Sequence, residues 1–241
     1  TVEIDVSSEF RMWSEYDYIA SISENVTKSF LKTFPSLQNK IMLFENIMPV
    51  KYIRNLADSA SIINEIPYDE NVVLLSIGRF CTAKNFDNIP DICKKILEAG
   101  IKVKWYLIGY GADKELIENK IKELHMEAHV QILGKKENPY PYIKRCDIYI
   151  QPSRYEGKCV SVIEAQMFHK PVIITDYATS KSQLENGVDG VIVPMDNAKC
   201  AKEIIQIIRD NEMQKKLIEA TQGRDYANIG EINKIYQILD K

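Results

Sequence analysis

The chain has 241 residues, 45% of them hydrophobic, and its 31 Lys and Arg nearly balance 34 Asp and Glu for a net charge of −3. That length spans one to two domains and buries a full core without staples. The charge excludes a general nucleic-acid binder, while leaving room for a local basic pocket that takes a small anion. Five dispersed cysteines (Cys81, Cys93, Cys146, Cys159, Cys200) contain no C-x-x-C pair. Their odd number argues against a disulfide framework and for a reducing cytoplasm. No apolar run approaches the ~18 residues of a membrane span. The acidic, polar start TVEIDVSSEF lacks a signal-peptide pattern, and opening on Thr1 reads as a fragment.

In chain order, Tyr18 to Ser23 reads as a strand, Glu24 to Phe34 as a helix stopped by Pro35, and Lys40 to Phe44 as a second strand. Two strands and a helix cannot bury a core alone. They read as the last βαβ piece of a preceding domain, with a boundary near residues 45–50. Val72 to Ile77 is nearly all apolar, as a strand covered on both faces should be. Ile89, Ile92, Cys93, Ile96 and Leu97 mark one helix face, and Gly100 stops that helix. Val103 to Ile108 is a strand. A helix from about Asp113 points Leu116, Ile117, Ile121 and Leu124 inward. His129 to Leu133 and Asp147 to Ile150 are strands, Val160 to Phe168 a helix, and 172–174 and 191–193 strands. A helix follows with Ala201, Ile204, Ile205 and Ile208 on its inner face. From Met213 to Lys241 the pattern is an amphipathic helical tail. Strands alternating with helices predict an α/β, Rossmann-like parallel sheet with helices on both faces. Such sheets bind ligands beyond the carboxyl ends of their strands, which directs attention to loops 78–86, 109–112, 134–142 and 151–159.

Four features in these loops bear on chemistry. Gly78-Arg79-Phe80-Cys81-Thr82-Ala83-Lys84-Asn85 follows a buried strand, and its planar and point cations suit a diphosphate; solvated surface is the plain alternative. Gly109-Tyr110-Gly111 opens a G-x-G-x-x-G pattern, but Lys114 stands at the third glycine position and no acid follows about 20 residues on. The dinucleotide fingerprint therefore fails, and a tight strand-to-helix turn is the favoured reading. The strongest feature is Pro152-Ser153-Arg154-Tyr155-Glu156-Gly157-Lys158-Cys159-Val160, continuing to Glu164-Ala165. Glu156 lies in a loop and Gly157 permits close backbone approach. The N–H groups of Lys158 to Ser161 lie near a helix start that favours anions. Glu164, within an apolar helix, needs a polar partner and can reach ribose hydroxyls. The fourth feature is negative: His125, His129 and His169 lack metal-ligand spacing. Cys159 sits where a helix start could acidify it, but no His or Asp adjoins it to make a nucleophile. The pairs Lys94-Lys95, Lys135-Lys136 and Lys215-Lys216 read as solvated faces, with a peripheral membrane contact as the alternative.

Taken together, these motifs resemble group-1 glycosyltransferases of the GT-B fold. The resemblance runs from Asp17-Tyr18-Ile19-Ala20-Ser21-Ile22-Ser23-Glu24 through Asn46-Ile47, Ser76-Ile77-Gly78-Arg79 with Lys84-Asn85, and Leu107-Ile108-Gly109-Tyr110-Gly111. It continues through Ile132-Leu133-Gly134, Gln151-Pro152-Ser153 with Glu156-Gly157, and Glu164-Ala165, to Glu185-Asn186-Gly187-Val188-Asp189-Gly190-Val191-Ile192-Val193-Pro194. It implies that residues 1–48 are the remnant of an N-terminal acceptor domain, and that 49–241 form the donor-binding C-terminal domain with its last helices. It also implies a retaining hexosyltransferase using a nucleotide-diphosphate sugar. Arg79 and Lys84 would bind and stabilise the departing diphosphate, and Glu156 would contact the donor sugar. Gly157, Lys158, Cys159 and Val160 would offer backbone contacts, Glu164 would hold the ribose, and Gly78, Gly109 and Gly134 would line the nucleotide. Relatives often carry Phe-Pro or Leu-Ser-like pairs after Glu-Gly; Lys158-Cys159 departs from that pattern. The implied partners are the donor, an acceptor sugar or lipid-linked glycan, and the absent N-terminal domain, with no metal, no cofactor and no nucleic acid. A cytoplasmic place, peripheral at the inner membrane face, and a role in cell-surface polysaccharide or glycoconjugate synthesis follow. Without its other half the chain is expected to be weak or inactive, and its last helix to pack toward that half. The alternatives are a non-catalytic nucleotide-sugar-binding module acting through a partner, a dinucleotide oxidoreductase, and a phosphorylase or epimerase of the same fold.

Overall fold

The computed structural model describes residues 6–240. Thr1 to Asp5 of the acidic start, and Lys241 at the end of the expected tail, lie outside them. The chain divides into two compact units. One holds the stretch up to Met48 together with the stretch from Ala227 onward; the other is Pro49–Tyr226.

In the first unit, α1 (Val6–Ser14) precedes β1 (Ile19–Ser21), α2 (Glu24–Thr33) and β2 (Ile41–Leu43). β1 and β2 pair in parallel, Ile19 opposite Ile41. Ser23 caps α2 by accepting the Val26 N–H, the role short hydroxyl side chains fill at helix starts. Phe34, Leu37 and Ile19 form a small buried cluster. The last helix, α11 (Ile232–Leu239), joins this unit, and Lys234 donates to the Leu43 carbonyl at 2.9 Å.

The second unit opens on α3 (Val50–Asp58), started at Pro49. It then alternates β3 (Val72–Ile77), α4 (Ile89–Glu98), β4 (Val103–Ile108), α5 (Lys114–Glu123), β5 (Val130–Gly134), α6 (Tyr140–Arg145), β6 (Ile148–Gln151), α7 (Val160–Met167), β7 (Val172–Thr175), α8 (Ser180–Gln183), β8 (Val191–Val193), α9 (Asn197–Arg209) and α10 (Asn211–Thr221). The six strands lie in the order β5-β4-β3-β6-β7-β8, every neighbouring pair parallel. This is the doubly wound Rossmann-like arrangement the alternation predicts. Side chains leave a strand alternately, and the core divides accordingly. Leu74, Trp105, Leu107, Ile148 and Ile150 face one layer with α4, α5 and α9. Val73, Leu75, Tyr106, Ile108 and Tyr149 face the other with α6 and α7. Trp105 is fully buried yet satisfied, its Nε1 donating to Ser76 Oγ at 2.9 Å.

Three departures from the sequence expectations have physical reasons. Leu116 is 46% exposed while Ile117 and Ile121 are buried; it lies one residue, about 100° of helix, off the inner stripe. On α9 the inner face carries Ile204 and Ile207, with Ile205 and Ile208 only partly buried. The expected tail helix is broken: α10 ends at Thr221, Gly223 follows with φ +76°, and Asn228 takes φ +55° before α11. Left-handed residues past a helix end terminate it. Helices α1, α3, α6 and α8 were not predicted. α6 is six residues long and starts beside Pro139, too short for an apolar period to register.

Candidate functional site

The strand order reverses direction between β3 and β6, and this switch point is where open α/β sheets take ligands. The loops leaving those two strands are the ones carrying Lys84 and Glu156. Lys84 Nζ lies 2.5 Å from Glu156 Oε1, with the two side chains 18% and 11% exposed. The pair joins positions 72 apart in sequence.

Each partner is held by its own elements. Lys84 ends a short 3₁₀ turn, Thr82–Lys84, closed by Asn85 in the left-handed conformation at φ +60°. Asn85 is buried and donates to the Pro152 carbonyl at 2.9 Å. Arg154 meets Asp87 through two bonds of 3.0 and 2.9 Å and also donates to the Thr82 carbonyl at 2.7 Å. These contacts bind the lysine turn to the glutamate loop. The Lys84 stem crosses Gly78, where an added Cβ would stand 3.2 Å from its Cδ and Cε.

Beneath the pair runs a closed polar ring. Ser153 Oγ donates to Glu156 at 2.6 Å and accepts from Gln151 Nε2 at 2.9 Å. Gln151 Oε1 lies 2.9 Å from the Tyr149 hydroxyl, which lies 2.7 Å from Ser161 Oγ. Ser161 reaches Cys159 Sγ at 3.2 Å, and Cys159 Sγ stands 3.9 Å from Lys84 Nζ. A fully partnered network of this kind fixes side-chain geometry. Burial pulls the Lys84 ammonium toward neutrality, but Cys159 and Glu156 outweigh it and hold its pKa above the usual value.

Cys159 is not acidified by the helix start. It is 3% exposed, and burial pushes its thiol up despite the nearby Lys84; desolvation wins over the partial charge of an eight-residue helix. Its backbone N–H, expected to face a ligand, donates instead to Gln183 Oε1 at 2.6 Å. Thr179 Oγ1 likewise donates to the Glu156 carbonyl at 2.6 Å. Segment 179–183 therefore clamps the Glu156–Cys159 turn. Gly157 and Val160 are exposed and Lys158 is partly exposed on that turn. Arg79 is exposed and makes none of the hydrogen bonds or ion pairs found among the described residues.

The expected glycines line up across adjacent strand ends. Gly78 N–H donates to the Ile108 carbonyl at 3.0 Å, and Gly109 N–H to the Gly134 carbonyl at 2.9 Å. Gly109 and Gly111 adopt φ +154° and +152°, and a Cβ on either would collide with the carbonyl oxygen of Gly78 or of Phe80. The broken fingerprint is thus a close crossing of two loops, which agrees with the tight-turn reading.

Glu164 is half-buried on α7. Burial raises its carboxyl pKa, and the nearby Tyr140 hydroxyl opposes that rise. Tyr140, Arg154, Ser153, Thr179 and Gln183 were not singled out from sequence. Only the proximity of Ser153 and Arg154 to Glu156 marks them there. The 134–142 loop is pinned through Glu65, which receives Lys136 at 2.5 Å and the Tyr142 hydroxyl at 2.6 Å. These bonds, Lys136 first, hold the Glu65 carboxyl below its usual 4.5. A depressed carboxylate stabilises the fold above its unfolded pKa, and the contribution is lost as pH falls through the lower folded value. Glu65→Gln is therefore expected to lower Tm at pH 7, with the gap to wild type closing in melting curves taken below pH 4. Among the described residues no cluster of three or more His, Cys, Asp or Glu could hold a metal ion. No helix there is long and apolar enough to cross a membrane.

A doubly wound sheet with a Lys–Glu pair and a helix start at its switch point is an arrangement in which open α/β folds place ligands. The family model for group 1 glycosyl transferases matches residues 58–224, and the chain belongs to that family. It is 25% identical over 193 residues to the amylovoran biosynthesis glycosyltransferase AmsD of Erwinia amylovora, covering 80% of this chain and 53% of that protein. It is 24% identical over 180 residues to the uncharacterized glycosyltransferase MJ1059 of Methanocaldococcus jannaschii, covering 73% and 44%. The chain thus spans about half the length of these curated relatives. Anabaena Alr3699/HepE, solved in complex with UDP and glucose, matches with a TM-score of 0.84 at 15% identity over 98% of this chain and 66% of that one. The shared architecture is the GT-B glycosyltransferase fold.

Proposed function

We propose that this chain is the donor-binding half of a retaining hexosyltransferase, moving a sugar from a nucleotide-diphosphate sugar to an acceptor sugar or lipid-linked glycan. The observation that carries this reading is the Lys84–Glu156 pair, joined across the switch point beside the start of α7. Arg79 and Lys84 meet the diphosphate, where negative charge grows as the glycosidic bond breaks. Preorganised cations at developing charge are the largest usual source of rate. Glu156 orients Lys84 and reaches the donor sugar. The 157–160 turn presents its backbone to sugar and phosphate, Glu164 holds the ribose, and Gly134 lines the base. Charge neutralisation by these side chains requires no metal and no cofactor. A relative named for amylovoran biosynthesis supports a role in cell-surface polysaccharide or glycoconjugate synthesis. A cytoplasmic place, with peripheral contact at the inner membrane face, suits that role. The reading assigns the acceptor side to an N-terminal domain, so the chain alone is weak or inactive as a transferase.

Titration of the purified chain with UDP, GDP, CDP, ADP and NAD by calorimetry tests the reading. The expected result is selective binding of one nucleoside diphosphate, weakened by both Arg79→Ala and Glu164→Ala. A folded sample that binds none of them, or binds equally well after both substitutions, overturns it.

A further inference from the structure

The polar ring beneath the Lys84–Glu156 pair has a direction, fixed by what each side chain can give and take. An ammonium only donates, a carboxylate only accepts, and a primary amide donates at one end and accepts at the other. Gln151 Oε1 can only accept, so its bond of 2.9 Å uses the single proton of the Tyr149 hydroxyl. Tyr149 then accepts from Ser161 Oγ at 2.7 Å, and Ser161 accepts from the Cys159 thiol at 3.2 Å. That thiol keeps its proton because burial pushes its pKa up. At the other end of the amide, Gln151 Nε2 donates to Ser153 Oγ at 2.9 Å, which leaves the Ser153 proton for Glu156 Oε1 at 2.6 Å. Tyr149, Gln151 and Ser153 are completely buried, so bulk water offers them no other partners.

Both of the donors that reach Glu156 land on one oxygen: Lys84 Nζ lies 2.5 Å from Oε1, the atom Ser153 also holds. Glu156 Oε2 takes no hydrogen bond or ion pair among the described residues. The terminal torsion of a glutamate is broad, so a single cation leaves the carboxylate free to turn. A second donor, on a buried hydroxyl whose proton has nowhere else to go, removes that freedom. We propose that Ser153 is a positioning residue of the nucleotide-sugar site: with Lys84 it fills Oε1 and fixes the carboxylate plane, which keeps Oε2 for a hydroxyl of the transferred sugar. This rests on the reading of Glu156 as the contact to the donor sugar. It adds that the sugar is recognised as a hydroxyl donor at one defined oxygen, and that Ser153, oriented by Gln151, sets where that oxygen stands.

The test is Ser153→Ala, which removes the hydroxyl and leaves Lys84 on Glu156. Calorimetry measures UDP, GDP and ADP beside UDP-glucose, UDP-galactose, UDP-N-acetylglucosamine, GDP-mannose and ADP-glucose, after melting curves establish that each protein is folded. The readout is the affinity of a sugar nucleotide relative to its own diphosphate, a ratio that a merely structural loss does not move. The expected result is that Ser153→Ala lowers the ratio for the preferred sugar nucleotide roughly tenfold, the effect of losing one well-placed hydrogen bond to a charged group. The diphosphate alone binds nearly as it does to wild type. In a Glu156→Ala background the same substitution lowers the ratio no further. An unchanged ratio in Ser153→Ala, equal weakening of both ligands, or the same tenfold loss without Glu156 overturns the inference while the donor-site reading stands. Absence of binding by every diphosphate and sugar nucleotide to the folded wild-type chain overturns both.

Discussion

Replacing Lys84 with alanine is expected to weaken nucleoside diphosphate binding by about 10- to 100-fold, the range for losing a charge-assisted hydrogen bond, and to destabilise the fold. Its Nζ is 2.5 Å from a Glu156 carboxylate that is only 11% exposed. Removing the lysine leaves that carboxylate largely out of water without its cation. Breaking a buried pair from one side costs about 3–5 kcal/mol, and the residual exposure places this site at the lower end. Glu156→Ala strands the lysine in the same way. The double substitution removes both charges and is expected to cost less than the sum of the singles, a coupling that denaturant melts of all four proteins measure directly. The pH behaviour follows from the raised lysine pKa. A cation whose folded value lies above its usual 10.5 contributes fully below that pH, and the contribution is lost as pH rises through the folded value. The penalty of Lys84→Ala is therefore constant from pH 6 to 9. If Lys84→Ala binds the diphosphate as tightly as wild type, Lys84 has no place in the donor site.

The parallel sheet was legible because strands buried on both faces are written as continuous apolar runs, such as Val72 to Ile77, punctuated by helices of ordinary length. The local chemistry was legible where a motif is contiguous: Glu156 and Cys159 stand within one turn of chain. That they share one site with Lys84 was implied only by the family resemblance, and their direct contact with it was not, because no local rule links positions so far apart in sequence. What sequence left invisible is of two kinds. Short elements such as α6 carry too few residues for a period, so Tyr140 passed as a loop residue. Reciprocal partners, such as Gln183 on the Cys159 N–H and Arg154 on Asp87, depend on which loops the strand order brings together. Cys159 is not acidified for a related reason. Proximity to a helix start can be read from sequence, but the degree of burial that reverses its effect depends on packing from Val162 and Tyr177 in the same core layer.

The glycines of the broken fingerprint permit a sharp test of what they are for. Gly109→Ala is expected to cost about 4 kcal/mol or more, the range reserved for severe backbone conflict, because its new Cβ would meet the Gly78 carbonyl oxygen at φ +154°. Neither side can yield cheaply. Gly78 N–H is bonded to the Ile108 carbonyl, Phe80 N–H to the Tyr110 carbonyl at 2.7 Å, and Asp113 N–H to the Phe80 carbonyl at 3.0 Å. The two loops are stitched from both sides, and the lysine stem lies over Gly78 on top of them. Gly134→Ala is the matched control. It also has a positive φ, +73°, but nothing lies within 4 Å of an added Cβ, so it carries only the left-handed penalty of about 1–2 kcal/mol. For a chain of this size the two losses correspond to Tm drops of roughly 10 °C or more against a few degrees. If the glycines at 109 and 111 existed to let phosphate approach the backbone, Gly109→Ala would instead abolish diphosphate binding while leaving Tm near wild type. Loss of stability first, with any loss of binding following from displacement of Gly78 and the Lys84 stem above it, assigns these glycines to the crossing that supports the site.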